Sequence, residues 1–299
     1  MLLVIIVWDL FINCFQITYI NIFMKKILLS GCALFAFSLN TFAQMDTIYL
    51  NNQKIACSVK EVTEEGVKFS HPNEDLVNSV YKNSVQKIVF KSGRVQVFTE
   101  ASSFKIVTDV REFDHVTVTA VEGEVRGLYK IGDVSSKAKG TTGFSNQERV
   151  KDRAYRKLKI QAAMMGANIV YLTNQRTEGN KMGGYFQAGS TAETNLTGVS
   201  YSNVVPNPEE FKKLVNGRKD FTTLSEYRLG GSSSDYSYKE LLKNFTISNI
   251  RDDNGIITIE GEVEGLSDFN QFRLVGVNAD HFNIFYRDKS TVYNISVKL

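Results

Sequence analysis

The sequence predicts an α+β protein with a small N-terminal β-barrel, a central α/β domain with one long helix on a sheet, and a C-terminal antiparallel β module. Three observations lead to this prediction. Short runs of β-branched and aromatic residues alternate with turn signals through residues 45–104. One long amphipathic helical pattern lies within residues 105–204. Further strand patterns fill residues 237–299.

The N-terminal part carries the period-two pattern of half-buried strands. Ile55, Cys57 and Val59 alternate with polar or small residues, and turn signals occur at Gly66 and Gly93. Several short strands in such a short segment predict a small barrel or a curled sheet. Because Cys57 falls on the apolar face of its strand, we expect it to be a buried core residue and not a nucleophile.

One long helix is predicted in the central domain, with signals at both ends. Ser145 is the expected N-cap and Glu148 the expected N3 residue of a capping box, which satisfies free N–H groups of the first turn. Gly166 is expected to end the helix in a left-handed conformation. The apolar positions at three- and four-residue spacing are Val150, Ala154, Leu158, Ala162 and Met165.

The polar side of the same helix is strongly basic. Its cationic residues are Arg149, Lys151, Arg153, Arg156, Lys157 and Lys159. Such a face is usually solvated, and we expect a solvated outer face here. The alternative is a face that docks on anionic lipid or lipopolysaccharide.

The segment that joins this helix to the next strand, AAMMGANIVYL, carries a family resemblance. Ala163, Gly166, Ala167 and Asn168 match the step from an alanine-rich helix through Gly-Ala-Asn into an apolar strand that occurs in YbjQ-like bacterial domains. The central domain therefore resembles that family, and the related domain of the outer-membrane stress-sensing lipoprotein of the Rcs system. The resemblance implies a homo-oligomer through this domain or a sensor role.

YbjQ-like proteins are often described as heavy-metal-binding, but this chain lacks the residue types for such a site. Between residues 106 and 202 it has no cysteine, and His115 is the one histidine. A soft-metal site needs several converging thiolate or imidazole ligands. We therefore expect no metal and no other cofactor.

The rest of the chain is predicted to form a connecting segment and a β module. Residues 207–236 are predicted as a short helix, a strand and a linker, with Asn207 as the helix N-cap and Pro208 at its first position. The run GGSSSDYS has the composition of a flexible linker. In residues 237–299, YKELL predicts a helical turn, and five strand-like runs follow, the first two forming a hairpin.

The N-terminal region predicts export. Lys25 and Lys26 follow Met24, an apolar run comes next, and Ala43 precedes the expected cleavage site. A positive start, an apolar core and a small residue before the cut are the three parts of a secretory signal peptide, here residues 24–43. The mature protein is therefore expected in the periplasm or outside the cell.

Two alternatives stay open at this end. Residues 1–23 are interpreted as the product of a start site assigned too far upstream, and the alternative is a real N-terminal anchor. The residues from Leu29 to Cys32 match a lipobox, so lipid on Cys32 would give a lipid-anchored outer-membrane protein. We favour soluble export, because the apolar run continues past Cys32 to Ala43.

Charge and cysteine content restrict the class of function. Residues 1–43 contain Asp9, Lys25 and Lys26, one net positive charge, so the formal charge of +3 falls to +2 in the mature chain. Such a balance argues against a dedicated nucleic-acid binder. Cys57 is the one cysteine left after cleavage, which excludes an internal disulfide.

Candidate catalytic groups are few. Glu260 and Glu262 share one face of a predicted strand with Glu264, but no histidine or second acidic strand accompanies them. The main hypothesis is an exported, non-enzymatic envelope protein that binds or senses another envelope component, a protein or a glycolipid. The alternatives are a periplasmic hydrolase with an inter-domain site of Glu260, Glu262 and His281, and a membrane-tethered lipoprotein.

The signal peptide gives the first testable prediction. N-terminal sequencing of the exported protein is expected to start at Gln44 or Met45, because signal peptidase cuts after a small residue such as Ala43. A mature chain that starts at a diacylated Cys32 would support the lipoprotein alternative. An intracellular chain that retains residues 24–43 would contradict both interpretations.

Overall fold

The structure is a computed structural model that describes residues 45–50, 53–98, 104–142, 144–181, 189–253 and 255–299. These residues form a β-rich protein with three sheets and few helices, which is compatible with the predicted α+β class. The predicted leader, with Cys32, lies outside the described residues. Within them, no helix has both the length and the apolar character needed to cross a membrane.

Six antiparallel strands form the N-terminal sheet, in the order β4-β3-β2-β1-β5-β6. They are β1 (Asp46–Leu50), β2 (Lys54–Val62), β3 (Gly66–Ser70), β4 (Asn78–Tyr81), β5 (Val85–Val89) and β6 (Val95–Val97). The predicted barrel is not confirmed, because no pairing joins the outer strands β4 and β6 among the described residues.

Cys57 lies on the buried face of β2, as the alternating pattern predicts. Its side chain is 1% exposed and packs with Ile48, Val67 and Ile88 in the core of the N-terminal sheet. Burial, together with the nearby Asp46 carboxylate, raises the pKa of the Cys57 thiol to about 11. A buried, protonated thiol is a small apolar core group and a poor nucleophile.

The central sheet has four strands in the order β7-β9-β10-β8, and one long helix packs on it. The strands are β7 (Thr117–Thr119), β8 (Tyr129–Lys139), β9 (Ile169–Glu178) and β10 (Glu193–Ser202), and the helix is α1 (Gln147–Met164). β7 runs parallel to β9, and the other pairs are antiparallel. Short 3₁₀ helices occur at Lys82–Ser84, Val110–His115 and Glu122–Val125.

The start of α1 corrects the predicted capping box by one residue. Asn146, not Ser145, is the N-cap, and its Oδ1 accepts a hydrogen bond from the backbone N–H of Arg149 at 3.1 Å. Glu148 is therefore at N2 and cannot complete a box. The Ser145 hydroxyl instead accepts from the N–H of Thr142 in the preceding turn. Asparagine caps helices at least as well as serine, so adjacent Ser and Asn leave the register ambiguous in the sequence.

The end of α1 confirms the predicted role of Gly166. This glycine has a φ of +74°, and its N–H donates to the carbonyl of Ala163 at 3.0 Å. The N–H of Ala167 donates to the carbonyl of Ala162, also at 3.0 Å. These two bonds define a Schellman motif, which satisfies carbonyls that the last helical turn leaves free.

The C-terminal sheet closes on itself. Its members are β11 (Asp220–Leu229), β12 (Ser237–Glu240), β13 (Asn244–Asp253), β14 (Ile256–Val263), β15 (Gln271–Val277), β16 (His281–Asp288) and β17 (Thr291–Lys298). β11 pairs with β13 at one edge and with β17 at the other, so β13 to β17 and β11 form a closed ring of six strands. β12 adds to β11 outside the ring.

Two expectations for this part are wrong. The sequence predicts β11 as part of a connecting segment, but this strand closes the sheet and is integral to it. The sequence predicts a helical turn at YKELL, but this segment begins within β12, because pairing of Tyr238 with Tyr227 outweighs its local helical propensity. The short helix is confirmed as α2 (Pro208–Val215), with Asn207 as its N-cap.

The closed ring is filled with aromatic and aliphatic side chains. Phe245, Phe272 and Phe282 are at most 1% exposed, and their rings make edge-to-face or tilted contacts. α2 packs Phe211 against Phe282, with 5.2 Å between the ring centroids. The interior of the ring is therefore a packed core.

Gly166 gives a stability prediction with a matched control. A Cβ at this position would lie 2.6 Å from the carbonyl oxygen of Val275, whereas a Cβ at Gly217, which has a similar φ of +72°, would meet nothing within 4 Å. Gly217→Ala is expected to cost about 1 kcal/mol of unfolding free energy, from the left-handed backbone alone. Gly166→Ala is expected to cost about 2 kcal/mol more, because it also forces α1 away from β15.

Urea unfolding followed by circular dichroism measures both changes. Equal losses in the two variants would contradict the close approach of Gly166 to β15.

Candidate functional site

A cleft of about 940 Å³ lies where segments of all three sheets meet. It is lined by the end of β1 and the start of β2, by the connecting segments 106–108 and 202–207, by α2, and by the end of β15. All of these belong to one compact unit, Met45–Leu299. Concave sites at such junctions are where proteins most often bind ligands.

Three exposed aliphatic side chains from distant parts of the sequence line this cleft. Ile106 is 56% exposed, Leu214 is 45% exposed and Val277 is 38% exposed. They come from the segment before β7, from α2 and from β15. Single exposed aliphatic residues are common on protein surfaces, but several in one concavity indicate a binding surface.

The floor of the cleft is a buried pair of asparagines. Asn168 is 2% exposed, and its Nδ2 donates to the carbonyl of Lys105 at 3.0 Å and to Oδ1 of Asn203 at 2.7 Å. The N–H of Asn203 donates back to Oδ1 of Asn168 at 3.3 Å. The predicted Gly-Ala-Asn step thus has a clear structural role: Gly166 ends the helix, Ala167 is buried, and Asn168 fixes two connecting segments.

The charged side chains that line the cleft are Lys54 and Glu210, which carry opposite charges. The Lys54 ammonium lies 5.2 Å from the centroid of the Tyr49 ring, a cation–π distance. The other polar lining groups are mainly carboxamides and hydroxyls: Gln53, Gln86, Thr108, Asn168, Ser202, Asn203, Asn207 and Asn278. The lining is therefore electrically balanced and rich in neutral hydrogen-bonding groups.

The inner wall of the cleft depends on the contact between α1 and the closed ring. Nη2 of Arg273 donates to the carbonyl of Met165 at 2.9 Å, and Nδ2 of Asn294 donates to the carbonyl of Met164 at 2.9 Å. The C-terminal carbonyls of α1 thus find donors on β15 and β17. Burial, with the nearby Arg287 charge, lowers the pKa of Arg273 to about 10.

This arrangement is suited to binding. Among the described residues that line the cleft, no two carboxylates face each other and no nucleophile lies beside a base. The site combines exposed aliphatic surface with neutral donors and acceptors, a combination that is chemically complementary to groups both apolar and amide-like.

The structure separates the residues of the hydrolase alternative. Glu260 pairs with Gln271 at one end of β15, whereas His281 is next to Phe282, which pairs with Val277 at the other end. The step from Gln271 to Val277 spans about 20 Å. An inter-domain site that unites these groups is therefore not supported.

The glutamates at the end of β14 point away from the core, as the period-two pattern predicts. Glu260 forms an ion pair with Arg251 at 3.2 Å, and Glu264 forms one with Lys243 at 3.3 Å. Glu262 is exposed on the same strand, β14. These carboxylates form a solvated outer face.

The described residues contain no group of three or more His, Cys, Asp or Glu residues with metal-site geometry. The histidines lie in three different parts of the structure. His71 packs at the edge of Phe69, His115 ends a 3₁₀ helix, and His281 bonds to Asn278 and Asp280.

Several basic side chains of α1 contact other parts of the protein, which a fully solvated face would not do. Arg156 pairs with Asp235 at 2.9 Å and lies over the Phe113 ring, and Arg153 donates to the carbonyl of Lys139. Lys157 is 7% exposed. The helix is thus held between the central sheet and the C-terminal ring, which the basic pattern alone did not indicate.

Sequence reasoning missed the cleft. Its aliphatic residues lie in segments that join regular elements, where apolar side chains are unusual. The runs Ile106-Val107 and Val204-Val205-Pro206 were the available signal, because consecutive apolar residues in a connecting segment often pack on another element or bind a ligand.

No family model, curated protein or solved structure matches this chain. The YbjQ-like resemblance of Ala163, Gly166, Ala167 and Asn168 therefore stays a prediction. The geometry of that step, in contrast, is observed directly in the structure.

Proposed function

We propose that this chain is an exported, non-enzymatic envelope protein that uses the cleft to bind an extended segment of another envelope protein. The observation that carries the proposal is the convergence of Ile106, Leu214 and Val277, each substantially exposed, on one concave site. Export is supported by the signal-peptide pattern of residues 24–43.

The apolar part of the cleft supplies affinity. Each of the three aliphatic side chains is about half exposed, so covering it with a ligand contributes about 1 kcal/mol. Together with a cavity of about 940 Å³, this surface accommodates a peptide segment that presents apolar side chains.

The polar part of the cleft favours a peptide over a glycolipid. Carboxamides such as Gln53 and Asn278 match the N–H and C=O groups of a peptide backbone. A phosphorylated glycolipid would need several cations, but among the described lining residues Lys54 is the one basic residue, and its ammonium lies over Tyr49. A glycolipid and a second copy of this chain, which the family resemblance implies, are the alternative ligands.

Site-specific photo-crosslinking in intact cells tests the proposal. A benzophenone side chain at Leu214 is expected to capture a specific envelope protein, because this residue lies within the cleft. The same group at Tyr238, which is 56% exposed and does not line the cleft, serves as the control.

The Leu214 adduct must also depend on the rest of the cleft. Ile106→Asp and Val277→Asp are each expected to reduce its yield about tenfold, because a buried charge opposes an apolar contact by about 1.4 kcal/mol or more. Adducts that are unchanged by these variants, or that form equally from Tyr238, would contradict the proposal. Adducts with lipid alone would favour the glycolipid.

A further inference from the structure

A second cavity, of about 320 Å³, lies between α1, the neighbouring strands β8 and β10, and the hairpin that joins β16 to β17. Its charged lining residues are all basic: Lys137, Lys157, Arg287 and Lys289. None of the described residues that line it carries a carboxylate. The cavity is separate from the cleft, because the two have no lining residue in common.

Lys157 forms the buried part of this site. Its side chain is 7% exposed, and its ammonium donates to the carbonyl of Gly231. An ammonium carries three N–H donors, and this carbonyl is the one acceptor it has among the described residues. Burial lowers the pKa of Lys157. A buried cation without a carboxylate partner is costly, and an anion that enters the cavity would offset this cost.

Lys289 adds an independent observation. It has a φ of +52° in the two-residue turn between β16 and β17, a conformation that asparagine or glycine adopts at lower cost. Its side chain lines the cavity. A two-residue hairpin turn requires such a positive φ, so the geometry of this turn fixes the position of Lys289 at the cavity.

The other two cations that line the cavity are Arg287 and Lys137. Nη2 of Arg287 donates to the carbonyl of Asp133 at 3.4 Å and to the sulfur of Met165 at 3.7 Å, and both acceptors are neutral. Lys137 is on the rim, is 61% exposed and pairs with Glu193 at 2.7 Å. The lining also includes hydroxyl groups, from Ser135, Thr197 and Ser290.

The wall opposite α1 is formed by two turns in close contact. A Cβ on Gly231 would lie 2.4 Å from the Ser290 hydroxyl oxygen, so glycine is needed for the turn after β11 to approach the β16–β17 turn. This approach brings the Gly231 carbonyl to Lys157 and places Lys289 and Ser290 on the same cavity.

We infer that this cavity is a binding site for a phosphate group. The charged oxygens of a phosphate group, two in a phosphodiester and three or four in free phosphate, are strong acceptors that match the ammonium groups of Lys157 and Lys289, the guanidinium of Arg287 and the hydroxyl of Ser290. The site is independent of the proposed peptide cleft. The phosphate can be free in solution or part of a lipid headgroup, and the experiment distinguishes these sources.

Binding is measured with the full mature chain and inorganic phosphate, at constant ionic strength with chloride as the reference anion. Phosphate is expected to raise the melting temperature and to give a saturable calorimetric signal, because a ligand that binds the folded state stabilises it. Vesicles of phosphatidylcholine with and without phosphatidylglycerol test the lipid source.

Two variants separate binding from folding. Lys157→Met removes the buried charge but keeps much of the side-chain volume, and Lys289→Gly relieves the left-handed strain. Both are therefore expected to fold, yet each is expected to raise the Kd for the anion at least tenfold. Lys159→Met is the matched control on α1, since Lys159 does not line the cavity, and it is expected to leave the Kd unchanged.

The phosphate and vesicle experiments have three outcomes, and each supports or overturns the inference. Phosphate binding that depends on Lys157 and Lys289 supports a free anion as ligand. Binding restricted to phosphatidylglycerol vesicles, with the same dependence, supports a lipid headgroup. The inference is overturned if the wild-type protein responds to neither probe, or if Lys157→Met and Lys289→Gly bind as tightly as the wild type.

Discussion

The contact between the C-terminal end of α1 and the closed ring holds the central and C-terminal parts together. Gly166 has no side chain, so the helix end can approach Val275 closely. Arg273 and Asn294 then donate to carbonyls that a helix end would otherwise expose to water. Side chains of both parts, such as Leu158 and Phe285, share one hydrophobic core, so neither part can separate without exposing apolar surface.

Both candidate sites depend on this contact. Gly166 and Val275 form part of the cleft, and Lys157 and Arg287 line the basic cavity. The two cavities thus flank one junction, with an apolar, charge-balanced surface in the first and a cationic surface in the second. A ligand in either site would contact elements of both parts, which gives binding a direct energetic link to the stability of the junction.

Local patterns in the sequence predict much of the fold but little of either site. The Schellman end at Gly166 and the cap at Asn207 follow from chemistry within a few residues, and both are confirmed. The ring closure by β11 depends on pairing between residues about seventy positions apart, which local propensity does not encode. Likewise, Lys157 has the pattern of a solvated helix residue, because its contact with Gly231 joins residues 74 positions apart in the sequence.

Hydrogen exchange measured by mass spectrometry tests the central claim most directly. If the helix end and the ring form one structural unit, peptides from α1 and from β16–β17 will open with the same free energy. Asn294→Ala, which leaves the buried Met164 carbonyl without its donor, will lower both by the same amount, about 1–3 kcal/mol. Exchange of α1 at a lower free energy, with β16–β17 still protected and unchanged by the substitution, would contradict this account.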